Sequence, residues 1–207
     1  GGSGAGSARV FLRTGSVWVQ EAMILAPDGA AMDDFGSSVA LSSDGSRALV
    51  GADLDDTAAG SDAGSARVFL RTGSAWAQEA SLVAPDGAAN DDFGYSVALS
   101  SDGSRALVGA DLDDTAGGSN AGSARVFLRT GSTWAQEASL VTPDGAAGDS
   151  LGASVALGFE WFFKRKLSLL GQVGAHGGFG QQHNIAQYES TGGLPSSSST
   201  QRLDSDT

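Results

Sequence analysis

The sequence predicts an all-β protein of four-stranded units stacked side by side, and three observations carry that prediction. The segment Gly6 to Ser16 returns at Gly64 to Ser74 and again at Gly122 to Ser132, a period of 58 residues. Each copy contains short runs with two-residue alternation, bounded by Gly, Asp-Gly or Pro-Asp-Gly turns. No helical periodicity interrupts them. A near-identical unit of this length implies a modular architecture in which one supersecondary unit packs on the next. Such a unit rarely holds a single asymmetric catalytic site.

The second copy justifies the elements in order. Ala66 to Arg71 alternates small or aliphatic residues on one face with Arg-Phe-Arg on the other, which is a strand pattern. Thr72-Gly73-Ser74 turns the chain, and Ala75 to Val83 reads as the returning strand. Pro85-Asp86-Gly87 is a strong turn, because Pro fixes φ and Gly accepts positive φ. Tyr95 to Leu99 is a third strand, and Ser101-Asp102-Gly103-Ser104 a tight hairpin. Arg105 to Ala110 is the fourth, followed by an acidic, glycine-rich loop from Asp111 to Gly122. Four antiparallel strands per unit, apolar on both faces, predict β-propeller-type blades: two complete, one partial, in an incomplete ring. Closed propellers need four to eight blades, so further blades or self-association are expected.

Composition narrows the function. Lys+Arg number 12 against 24 for Asp+Glu, a formal charge of -12, which argues against a nucleic-acid partner. An acidic surface suits an extracellular or cation-rich setting. The absence of cysteine excludes disulfides and thiol chemistry. The charge excess lies in the repeats, whose basic residues are all Arg, while residues 158–207 are balanced and hold both histidines, His176 and His183. Beginning mid-repeat at Gly1 without a signal peptide, the chain reads as a processed product or a fragment. The expected organisation is repeats over 1–157, a β-hairpin over 158–180 and a flexible Ser-rich tail over 181–207.

Three motifs together resemble the FG-GAP repeat: Asp92-Phe93-Gly94-Tyr95-Ser96-Val97-Ala98-Leu99, then Ala106 to Asp111, then Gly122 to Phe127. The bacterial variety, with its Trp-x-Gln-Glu-Ala strand, is the nearer likeness. The resemblance covers residues 4 to about 157. It implies a propeller at the cell surface or outside the cell, acting in adhesion or protein–protein interaction. The third copy departs from the pattern, with Leu151-Gly152 for Phe-Gly, and leaves it after Leu157. The calcium loop of integrin-type copies would fall at Ser43 to Ser46 and Ser101 to Ser104, where four residues cannot supply the six to eight oxygens that calcium takes.

Candidate sites remain. Asp53, Asp55 and Asp56, repeated as Asp111, Asp113 and Asp114, have the alternate acidic spacing of a calcium loop; the plainer reading is a solvated acidic turn. Trp18, Trp76 and Trp134 recur once per copy, either to stack on sugars as in a lectin or to pack between blades. Arg13, Arg71 and Arg129 are expected to pair with nearby carboxylates. Without His, Cys or Lys, the repeats lack the usual nucleophile–base pairs, so no enzyme is expected. Residues 158–174 read as two strand-like runs around the basic turn Lys164-Arg165-Lys166. That stretch resembles a hairpin of an outer-membrane β-barrel, or else replaces the missing fourth strand of the last blade. The resulting expectation is a non-catalytic surface module with a protein or glycan ligand.

Overall fold

The computed structural model describes residues 2–157 and 168–172, and these contain strands and turns but no helix. The strands are β1 (Ala8–Thr14), β2 (Val17–Ile24), β3 (Val39–Leu41), β4 (Arg47–Ala52), β5 (Ser65–Thr72), β6 (Ala75–Leu82), β7 (Phe93–Leu99), β8 (Arg105–Ala110), β9 (Ser123–Thr130), β10 (Thr133–Leu140), β11 (Leu151–Leu157) and β12 (Ser168–Gln172). They form two four-stranded antiparallel sheets, β3-β4-β5-β6 and β7-β8-β9-β10, flanked by two-stranded sheets β1-β2 and β11-β12. None closes into a barrel. These are the propeller-like blades the sequence predicts.

The sheets are cut out of phase with the text of the repeat. The first two strands of one copy join the last two of the copy before, so β5 and β6 complete a blade begun by β3 and β4. Burial gives the reason. Arg47–Ala52 and Ser65–Thr72 are the most deeply buried strands of their sheet, as Arg105–Ala110 and Ser123–Thr130 are of theirs. Strands apolar on both faces belong at the centre of a sheet, which sets each pair side by side.

Each strand face has its own neighbour. On β5 the Ala66-Val68 stripe is buried with Phe93 and Phe127 of the following blade. The Arg67-Phe69-Arg71 stripe turns the other way, and Phe69 packs edge-to-face on Phe35, ring centres 5.9 Å apart. Phe93 and Phe127 repeat that contact at 6.2 Å. Leu151, which replaces the third Phe, is buried in the equivalent place.

Between blades the backbones nearly touch. A Cβ on Gly51 would lie 2.1 Å from the carbonyl oxygen of Gly94, and one on Gly109 would lie 2.0 Å from that of Gly152. The Phe-Gly and Gly-Ala-Asp elements therefore recur together because each supplies one side of this approach. Ser38 Oγ donates to the Gly94 carbonyl at 2.7 Å and Ser96 Oγ to that of Gly152 at 2.5 Å.

At the far end, β12 pairs with β11 in the register that β8 keeps with β7: Val155 opposes Leu170 as Val97 opposes Val108. The first run of the expected hairpin, 158–163, and the tail from 181 lie outside the described residues.

Candidate functional site

Antiparallel order places alternate connections at opposite ends of a sheet. The short turns at 15–16, 42–46, 73–74, 100–104 and 131–132 form one end, and the long connections 25–38, 53–64, 83–92, 111–122 and 141–150 form the other. Apart from Asp44 and Asp102, every aspartate among the described residues lies at the long-loop end. That end is a strongly acidic surface. A polar groove of about 380 Å³ opens there, lined by Asp86, Asp113, Asp114, Thr115, Arg125 and Ser139.

The acidic loops divide their carboxylates among separate tasks. Asp55 accepts from Ser65 Oγ at 2.5 Å and from Arg67 at 2.7 Å; Asp113 does the same with Ser123 and Arg125, the latter at 2.9 Å. Asp56 accepts the Asp62 amide at 3.0 Å and Asp114 the Asn120 amide at 2.8 Å. Asp53 and Asp111 each keep one buried carboxylate oxygen, Oδ1, without a hydrogen-bond partner. Among the described residues no three acidic or histidine side chains converge as a metal site would need. Asp33 and Asp91 cap the turns before them, accepting the Ala30 and Ala88 amides, each at 2.6 Å.

Burial and crowding push some of these carboxyls above the usual carboxylate range. Desolvation raises Asp92 to a pKa of about 6, with Asp111 and Asp53 adding repulsion. Asp91 and Asp111 are raised too, mainly by desolvation. At the short-turn end the direction reverses. Ser42 Oγ and the Ser46 amide donate to Asp44 and hold it down at about 2.

The remaining recurrent polar residues lock blade to blade. Arg67 reaches past Asp55 to Asp28 of the previous Pro-Asp-Gly turn at 2.5 Å, and Arg125 reaches Asp86 at 2.8 Å. Glu79 is the extra residue of a β-bulge, since Val68 opposes Ala80 while Phe69 opposes Gln78. The bulge presents its carboxylate to Arg47 Nε at 2.9 Å and to Trp134 Nε1 of the next blade at 3.3 Å. Burial works against that charge, but the donors outweigh it and keep its pKa low. Arg71 pairs with Glu21 of the preceding sheet, Nε to Oε2 at 3.0 Å. Trp76 and Trp134 are half-buried against the blade before them, whereas Trp18 is 64% exposed. The sequence reading missed Asp28, Asp86 and the bulged Glu21, Glu79 and Glu137. Their signal was recurrence, which turn chemistry already explained for the aspartates.

With this geometry in view, the model of the FG-GAP repeat matches residues 18–69 and 76–127, together half of the chain. The chain belongs to the FG-GAP repeat family. Both Phe-Gly pairs, Phe35-Gly36 and Phe93-Gly94, fall inside the matches. No curated protein matches the chain. FG-GAP repeats occur in adhesion and binding modules of extracellular or surface proteins, and their domains are in general non-catalytic and structural.

Proposed function

We propose that this FG-GAP chain is a non-catalytic binding module at the cell surface or outside the cell, whose acidic loop end engages a basic protein surface. One observation carries the reading. The recurrent Arg, Glu and Trp side chains hold blades together, while the aspartates gather at one end, where Asp34 and Asp144 face solvent. A rigid scaffold that presents its loops at one end is a common way to build a binding surface. Charge complementarity would speed encounter and suppress wrong partners.

The test is binding of the chain to arrayed extracellular proteins and glycans at low and at physiological salt. Protein ligands that weaken with salt, and are lost in a variant combining Asp34→Asn, Asp114→Asn and Asp144→Asn, support the reading. Salt-insensitive glycan binding abolished by Trp18→Ala would replace it with a lectin.

A further inference from the structure

The groove at the long-loop end has a buried floor and an exposed rim. On the floor, Arg125 is held by Asp113 and Asp86 and donates to Ser139 Oγ. Asp86 and Asp114 form the rim. Both are exposed, yet each is pinned through Oδ1, Asp86 to Arg125 and Asp114 to the Asn120 amide, each at 2.8 Å. Among the described residues neither Oδ2 is engaged in a hydrogen bond. Three carboxylates face one guanidinium here, an excess of two negative charges around a space of about 380 Å³.

Beside the rim stands an exposed aliphatic side chain. Val141 lines the groove and is 49% exposed. Its counterpart Val83 is 43% exposed although a whole blade follows it. Continuing the stack therefore leaves this position open.

We propose that the groove takes one long basic side chain, arginine or lysine, of a partner protein, with its charged head between Asp86 and Asp114 and its stem along Val141. This names the residue type through which the acidic loop end binds, and so rests on the binding role proposed for that end.

Chemistry selects that occupant. Arginine and lysine are apolar along the stem and cationic only at the tip, the same order as wall and rim here. Carboxylates already fixed through one oxygen lose little freedom on binding, which lowers the cost of capture. Hydrogen bonds from a cation to their second oxygens are of the strong, charge-assisted kind. A hard metal ion would take six or more oxygens, and among the described residues no three acidic side chains converge. A sugar would call for an aromatic platform, and no described aromatic side chain lines the groove. Anions are repelled by the charge excess. The volume also lies at the small end of ligand pockets, about 300–1,000 Å³, which suits a side chain rather than a strand.

The whole lining recurs. Asp28, Asp55, Asp56, Arg67, Ser81 and Val83 stand 58 residues before identical counterparts. Arg67 repeats the ion pairs, to Asp28 at 2.5 Å and Asp55 at 2.7 Å. Asp56 repeats the pinning, accepting the Asp62 amide at 3.0 Å. One period further on, Gly171 and Gln172 stand where Asp113 and Asp114 would be needed. Two equivalent sites per chain are therefore expected.

Two probes separate the groove from the acidic end at large. Nα-acetyl-arginine amide reads a single side chain, and hexa-arginine amide reads the whole surface. Titrated into the isotopically labelled full chain at low salt, the first should shift the amide signals of Thr57 and Thr115 together, with an affinity on the order of 1 mM. Its citrulline analogue, uncharged and of similar shape, should shift neither. Asp56→Asn combined with Asp114→Asn keeps an acceptor for each loop amide and should weaken binding about tenfold. Val83→Ser combined with Val141→Ser leaves every charge in place and should weaken it about threefold to tenfold through the lost stem contact. Unchanged signals outside the loop end check that each variant is folded. Binding indifferent to the valine change, or shifts that miss both grooves, overturns the proposal. If hexa-arginine amide then still binds, and Asp34→Asn with Asp144→Asn removes it, the loop end keeps its role and only the groove is lost. If hexa-arginine amide fails to bind at low salt, both readings fall.

Discussion

The half-blade β1–β2 and the pair β5–β6 are nearly the same text in two settings. Phe11 is 50% exposed and Phe69 is 3% exposed. Arg9 is exposed and hydrogen-bonds Gln20, while Arg67 is buried between Asp28 and Asp55. Trp18 stands in solvent, while Trp76 packs on the preceding sheet. The difference teaches that the repeat does not fold each unit by itself. Its Arg-Phe-Arg stripe becomes core only when another sheet stands in front of it, as expected where stability sums nearest-neighbour interfaces.

The sharpest break of that comparison is the phenylalanine pair. Phe69→Ala should cost about 3–5 kcal/mol, the usual range for emptying a buried aromatic site. Phe11→Ala should cost less than about 1 kcal/mol in the isolated monomer, because half of its ring already meets water. Urea denaturation of both variants at fixed protein concentration measures this. Equal losses would mean that β1 is already covered in solution, and the loss at Phe11 should then grow with protein concentration.

Next is the arginine pair. Removing one partner of a buried ion pair leaves an uncompensated charge, so Arg67→Met should destabilise by about 3 kcal/mol through stranded Asp55. Arg9→Met, on an exposed face, should change stability by at most about 0.5 kcal/mol. Adding Asp55→Asn to Arg67→Met should recover part of the loss. Failure to recover any would place the damage in packing of the guanidinium rather than in its charge.

These pairs also show what could be read in the text. The strands were legible because two-residue alternation and turn residues are local properties. The phase of the blades was not, since a periodic sequence carries no mark of where a sheet begins. That choice is made by burial of β4 and β5 against sheets on both sides, a property of the stack. Trp76 could be assigned to a blade junction, and Arg71 to a carboxylate, because they recur. The carboxylate that Arg71 meets, Glu21, could not be named, because a bulge aims it and the contact spans about fifty residues of chain. Recurrence of the acidic triplet left a cation loop and a solvated turn both open, and in the fold Asp55 and Asp113 meet arginine. Nothing in spacing alone distinguishes a carboxylate aimed at a metal from one aimed at a guanidinium.

The aspartates before the Phe-Gly element give a smaller and pH-dependent contrast. Asp92 keeps its proton to about pH 6 in the fold, whereas an unfolded aspartate releases it near its ordinary value. The folded state thus binds the extra proton between about pH 4 and 6, so stability falls as pH rises through that window and stays low above it. Asp92→Asn should flatten this fall and raise stability at pH 7 by about 1 kcal/mol, the full linkage value being reduced by partial exposure. Asp34→Asn, at the exposed equivalent, should move the melting temperature little at pH 7. A profile for Asp92→Asn that still falls between pH 4 and 6 would assign the slope to Asp91 and Asp111 instead.

The smallest effect lies one turn earlier. Met32, Asn90 and Gly148 share one position of the repeat and one left-handed conformation, with φ of 77°, 64° and 80°. Asn and Gly reach that region readily, but a side chain such as Met's pays a steric penalty of about 1–2 kcal/mol there. Met32 is also largely exposed, so little packing offsets the strain. Met32→Asn should therefore raise stability by about 0.5–1 kcal/mol, with a melting temperature a few degrees higher. The reverse change, Asn90→Met, should lower it by a similar amount. If Met32→Asn instead lowers the melting temperature, the methionine side chain contributes packing that outweighs the strain of its backbone.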